Sequence, residues 1–171
     1  MDCTWYYESP LGALTLTSDG EALFGIEFGR TGHCSGPAHL FEDACRWLDI
    51  YFSGKEPGFT PKLALQGLSP FRRRVCEIML TIPFGKTMSY GEIAAIIARE
   101  KGLKRMSAQA VGGAVGHNPI PIIIPCHRVV GSDGSLTGYS AGLDKKVFLL
   151  QLERQSPLLR AAHHKRHQAL A

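Results

Sequence analysis

Residues 108–130 read AQAVGGAVGHNPIPIIIPCHRVV. The first nine are almost all small: Ala108, Ala110, Gly112, Gly113, Ala114 and Gly116. Ser107 stands where a helix N-cap belongs, so the pattern predicts a helix over 108–116. Each glycine there costs a helix up to about 1 kcal/mol relative to alanine, which implies that something must approach this helix closely. An apolar, proline-punctuated run then delivers Cys126 directly against His127 and Arg128. A thiol becomes a nucleophile when a base or positive charge lowers its pKa from about 8.5, and Pro125 gives Cys126 a rigid, extended approach. Cys126 is the candidate reactive atom. On an extended segment its neighbour His127 points to the opposite side, which excludes direct hydrogen bonding between the two.

Upstream, Ser69-Pro70 opens a helix over 71–82, and the turn Pro83-Phe84-Gly85 leads to a second helix capped by Ser89 and running through Ile97. A basic connector, 101–105, joins it to the thin helix. Two helices about a basic turn form the pattern of a helix-turn-helix whose second helix lies in a DNA groove. The same residues equally describe a helix packed tightly on a neighbour. Downstream, 131–135 and 138–142 read as loops that can return to Cys126. A closing helix, 145–154, offers Val147, Phe148, Leu150 and Leu152 for packing.

The N-terminal part is β-rich, with strands over 5–9, 12–17 and 22–28 separated by turn signals at Ser9-Pro10-Leu11-Gly12 and Ser18-Asp19-Gly20. Leu40, Phe41, Ala44, Trp47, Leu48 and Tyr51 recur at helical spacing over 38–52. Residues 63–65 complete this part as a last strand, and a boundary falls near Gly67. The fold class is α+β, with an N-terminal sheet-and-helix domain over 1–67, a second domain over 68–156, and a disordered basic tail over 157–171.

With 44% hydrophobic and 20% charged residues, the 171-residue chain has the composition of a soluble globular protein. No apolar run approaches the roughly 18 residues of a membrane span, and the start lacks a secretory pattern, so a cytoplasmic location is expected. Cys3, Cys34, Cys45, Cys76 and Cys126 make an odd, irregularly spaced set that excludes a full disulfide framework. Of the net charge of +4, three units come from Arg160, Lys165 and Arg166. The basic balance is therefore mostly a property of the tail. No glycine-rich phosphate loop or zinc-ligand spacing is present, so no cofactor or metal is expected.

The segments IPFGKTMSYGEIA (82–94), AVGGAVGHNPIPIIIPCHRVV (110–130), TGYSAGLDKKVFLL (137–150) and Glu153 stand in an order and spacing that resemble the O6-alkylguanine-DNA alkyltransferases. That resemblance implies a helical C-terminal domain with a winged-helix-like helix-turn-helix. It implies a monomer that binds duplex DNA carrying alkylated guanine through the minor groove, flips the base and accepts its alkyl group irreversibly. Whether O4-alkylthymine also serves stays open. Residue by residue, it implies Cys126 as acceptor and His127 as base through a water molecule. Glu153 would orient the imidazole, and Tyr90 would serve the leaving purine. Gln109, Ala110, Gly112, Gly113, Asn118, Arg128, Ser89, Lys104 and Arg105 would meet DNA. Val115, Pro121, Val129, Tyr139 and Ser140 would form the base pocket.

Alternative readings are a lesion-binding relative without transfer, which such proteins achieve by lacking the cysteine, and a Cys-His hydrolase. One departure from the family pattern is Gln109, where an arginine usually enters the duplex. Glutamine brings no charge and less reach, so weaker DNA affinity or a changed balance of base flipping is expected.

Overall fold

The computed structural model describes residues 2–154; the tail expected over 157–171 lies outside them. The first domain is a three-stranded antiparallel meander of β1 (Cys3–Ser9), β2 (Gly12–Ser18) and β3 (Leu23–Phe28). Its register pairs Trp5 with Leu16, Tyr7 with Leu14 and Leu16 with Ile26. The period of two thus puts these side chains on one face. Helix α1 (Glu42–Phe52) covers that face. Phe41, just before it, stacks on Trp5 with ring centroids 6.0 Å apart, and its Phe52 on Tyr7 at 6.4 Å.

Two local expectations change here. Residues 38–41 form a separate turn of 3-10 helix, because neither Pro37 nor Phe41 supplies a capping side chain and an uncapped helix start is often tightened this way. The strand expected over 63–65 shrinks to one parallel bridge between Leu23 and Leu63. A turn closed by Leu68 N–H on the Leu65 carbonyl ends it.

The remaining elements are α2 (Pro70–Leu80), β4 (Met88–Ser89), α3 (Tyr90–Glu100), α4 (Ala108–Gly116), β5 (Val129–Val130) and α5 (Leu143–Arg154). All three expected serine caps are present. Ser69 accepts from Arg72 N–H at 3.2 Å and Ser107 from Ala110 N–H at 3.2 Å. Ser89 forms a reciprocal capping box with Glu92. The parallel pair β4–β5 matches Met88 with Val129 and Ser89 with Val130, which brings the start of α3 beside the segment that follows Cys126.

The approach to Cys126 is not extended. Prolines 119, 121 and 125 remove three of the donors a strand would use, and the chain turns tightly instead. Ile122 has φ 76° and is fully buried, a conformation rarely adopted by a β-branched residue. Asn118 staples the loop, accepting from Ile120 N–H at 3.0 Å and donating to the Ile124 carbonyl at 2.8 Å. Cys126–Arg128 then form one turn of 3-10 helix.

The two parts share one core, which runs from Leu14 and Leu16 through Trp47 and Tyr51 to Val75, Ile93, Val111, Ile124 and Leu149. At its edge Ile26 N–H donates to the Pro119 carbonyl at 2.9 Å, and Phe28 meets Tyr139 edge-on at 6.3 Å. No helix of the described residues is long and apolar enough to cross a membrane.

Candidate active site

Cys126 is 5% exposed and lines a cavity of about 320 Å³ together with Tyr90, Gly112, Val115, Gly116, Gly138, Tyr139 and Ser140. This volume lies at the lower end for small-molecule sites. Burial pushes the thiol above its ordinary pKa, while Asn118, Tyr139 and the charge of Lys146 pull it back. The resting sulfur is therefore a protonated thiol that needs a base.

Behind it lies a buried polar cluster. His127 is fully buried, and its Nε2 lies 2.5 Å from Glu153 Oε2. The same oxygen accepts the Tyr51 hydroxyl at 2.7 Å. The other carboxylate oxygen, Oε1, accepts Arg128 Nε at 2.8 Å and Gly85 N–H at 2.9 Å. Burial alone would raise Glu153, but the hydrogen bond and charge of His127 and the Arg128 guanidinium outweigh it and hold the carboxyl at about 2. For His127, burial lowers the pKa and outweighs the opposing pull of Glu153. At neutral pH the pair is thus a neutral imidazole donating to a carboxylate, and the imidazolium charge acts on Glu153 only in acid, once His127 has taken up its second proton. With the proton on Nε2, Nδ1 keeps its lone pair, and it has no hydrogen-bond partner among the described residues.

Because Glu153 is depressed in the folded state, its share of stability is complete above the unfolded value of about 4.5 and is lost as pH falls toward about 2.

The remaining expected residues divide. Tyr90, Gly112, Val115, Tyr139 and Ser140 share the cavity with Cys126. In the free protein the Tyr90 hydroxyl donates to the Thr137 carbonyl at 3.1 Å. Gln109, Ala110 and Gly113 form the exposed face of α4, and Lys104 and Arg105 stand exposed on the preceding connector. Pro121 and Val129 are buried and do not line the cavity; the tight turns draw Pro121 inward, and the Val129 carbonyl accepts Lys146 Nζ at 2.7 Å. Arg128 is also misassigned as a DNA contact. It is 7% exposed, and its guanidinium is held by Glu153 and by the Ile82 carbonyl at 2.6 Å.

Three contributors escape the sequence reading: Tyr51, Gly85 and Lys146. Lys146 is fully buried, and its ammonium also reaches the carbonyls of Thr137 and Gly138, both at 3.3 Å. A signal existed for it. Lys146, Leu149, Leu150 and Glu153 recur at i, i+3, i+4, i+7, and these four are the buried stripe of α5. The stripe expected from Val147, Phe148 and Leu152 is only half-buried.

Comparison with known proteins accounts for this arrangement. The profile for the 6-O-methylguanine DNA methyltransferase DNA binding domain matches residues 70–155, and that for its ribonuclease-like domain matches 4–65. A methylated-DNA–protein-cysteine methyltransferase of Mycolicibacterium paratuberculosis is 45% identical over 155 residues, 86% of this chain and 90% of that one. The chain belongs to the O6-alkylguanine-DNA alkyltransferase family. The Mycobacterium tuberculosis O6-methylguanine methyltransferase superposes with TM-score 0.77 at 40% identity, covering 91% of this chain and 94% of the other. A structure of Mycobacterium tuberculosis OGT in complex with DNA superposes with TM-score 0.75 at 42% identity, covering 91% and 93%. The family's activity is DNA repair by transfer of an alkyl group to a cysteine of the protein.

Removing one partner of a buried ion pair strands the other charge, at a cost of about 3–5 kcal/mol. Arg128→Ala is accordingly expected to lose stability on that scale in denaturant unfolding, with the salt dependence of DNA affinity unchanged. Native stability combined with a shallower salt slope would return Arg128 to the DNA contacts.

Proposed function

We propose that Cys126 is the alkyl acceptor and that its substrate is an O6-alkylguanine flipped out of duplex DNA bound through the minor groove. The observation that carries this reading is a buried thiol in the wall of a cavity rimmed by a helix with a thin outer face. A methyl group built on Gly113 or Gly116 would meet nothing within 4 Å, so packing inside the chain does not call for their small size. A minor groove only about 6 Å wide does. An O6-alkyl group is out of reach while the base stays stacked, so the base must leave the helix to enter the cavity.

The reaction follows from the groups present. The thiol proton passes through a water molecule to Nδ1 of His127, whose Nε2–H is held by Glu153. The thiolate attacks the alkyl carbon, a carbon–sulfur bond forms, and the carbon–oxygen bond breaks with its electron pair passing to the purine. Tyr90 turns its hydroxyl from the Thr137 carbonyl to the departing purine and gives it a proton, and the proton held by His127 passes back through water to restore the Tyr90 hydroxyl. The product is a thioether and an intact guanine. Nothing among these groups cleaves a thioether, so each molecule reacts once.

Lys104 and Arg105 supply phosphate contacts without reading sequence. Ser89 accepts from the α3 backbone and keeps its hydroxyl proton for a phosphate. Asn118 fixes the turn between α4 and the acceptor, and Gln109, exposed on the first turn of α4, fills the gap left by the flipped base. The protein acts as a monomer, and its location is the cytoplasm.

Incubation with duplex DNA carrying O6-methylguanine, followed by intact mass and peptide mapping, is expected to place one methyl group on Cys126 and none on Cys126→Ala. Modification elsewhere, or more than one turnover per molecule, would contradict the assignment. Gly113→Ala separates the two readings of the thin helix. Alanine should stabilise the free protein by about 0.5–1 kcal/mol and weaken duplex binding at the same time. A packing role predicts the reverse, lower stability with unchanged binding.

A further inference from the structure

Tyr51 belongs to the N-terminal domain, at the end of α1, yet its hydroxyl reaches the polar cluster behind Cys126. It is fully buried. The oxygen lies 2.7 Å from Glu153 Oε2 and 3.3 Å from His127 Nε2. The ring is fixed on several sides: it stacks on Trp47 at 5.1 Å with planes 10° apart, and it meets Phe52 at 5.4 Å and Phe84 at 6.0 Å edge-on. Its hydroxyl therefore has little freedom.

A phenol has one proton to give. Against a carboxylate and a ring nitrogen, that proton goes to the carboxylate, the stronger acceptor, which leaves an oxygen lone pair beside Nε2. His127 Nε2 then faces two acceptors, Glu153 Oε2 and the Tyr51 oxygen. Only the Nε2–H tautomer satisfies both. That tautomer is the one that leaves Nδ1 free to take a proton.

We propose that Tyr51 is a positioning residue for alkyl transfer: its hydroxyl fixes the Glu153 carboxylate and the Nε2–H tautomer of His127, and so keeps Nδ1 as the proton acceptor for Cys126. The N-terminal domain thereby contributes directly to thiol activation, although none of its described residues lines the cavity. This inference rests on the reading of Cys126 as the alkyl acceptor.

The test is the pH profile of single-turnover methyl transfer by the full chain, comparing wild type, Tyr51→Phe and Tyr7→Phe. Tyr7 is the control: its ring also packs on Phe52, but its hydroxyl donates to Asp49 away from the cavity. Losing a hydrogen bond to a charged group should slow Tyr51→Phe on the order of ten- to a hundredfold at neutral pH. The deficit should shrink as pH rises, because bulk base then ionises the thiol without the relay, and Tyr7→Phe should match wild type throughout. A general packing defect would instead lower the rate by one factor at every pH. That outcome, or no loss, overturns the proposal.

Nitrogen chemical shifts of the His127 ring in the wild-type protein give a second measurement that does not depend on the variant folding. They should report Nε2–H with a bare Nδ1; the opposite tautomer overturns the proposal. A wild-type protein that transfers no methyl group to Cys126 overturns the functional reading, and this inference with it.

Discussion

An ionised carboxylate removed from water survives only where donors replace its hydration, and Glu153 meets that condition with four. The donors come from three separate stretches of chain: Tyr51 from the N-terminal domain, Gly85 from the turn after α2, and His127 and Arg128 from the segment that carries Cys126. His127 and Arg128 are adjacent in sequence but bind different oxygens of the same carboxylate, which fixes the 3-10 turn that presents Cys126. Arg128 continues to the Ile82 carbonyl and ties that turn to the loop before β4. Removing the carboxylate would leave a buried guanidinium without its counter-charge, so the geometry around Cys126 and the integrity of the fold depend on the same group.

The opposite wall is organised by a second buried charge. Lys146 holds the carbonyls of Val129, Thr137 and Gly138, so the strand after Cys126 and the loop carrying Tyr139 and Ser140 are gathered on one ammonium. Burial lowers the Lys146 pKa, and the nearby sulfur of Cys126 opposes that shift. The cation therefore favours the charged form of the Cys126 sulfur. Glu153 and Lys146 sit two turns apart on one face of α5, and this helix sets the two sides of the site relative to each other.

Much of this was legible in the sequence, and the failures have physical causes. The caps at Ser69, Ser89 and Ser107 were readable because a hydroxyl before a helix has one local job. The meander was readable from its turns. Cys126, His127 and Glu153 were singled out through the motif and the family resemblance, and the structure puts His127 against Glu153 and Cys126 in the cavity wall. Arg128 was misread because a surface arginine and a buried one look alike until the partner, 25 positions away, is in place. Tyr51 was counted as an apolar helix position, which is correct for its ring and silent about its hydroxyl. The extended approach to Cys126 failed for another reason. Prolines excluded a strand, but only the Asn118 staple and the surrounding core could hold Ile122 at positive φ.

The central claim is that Glu153 is a fully ionised carboxylate in the protein interior and that this charge fixes His127 as the base for Cys126. The most direct measurement is a carbon NMR titration of the Glu153 side-chain carboxyl in the folded protein. The charge should persist down to a pH near about 2, well below the ordinary 4.5. A carboxyl that takes up its proton at or above 4.5 while the protein remains folded would contradict the account.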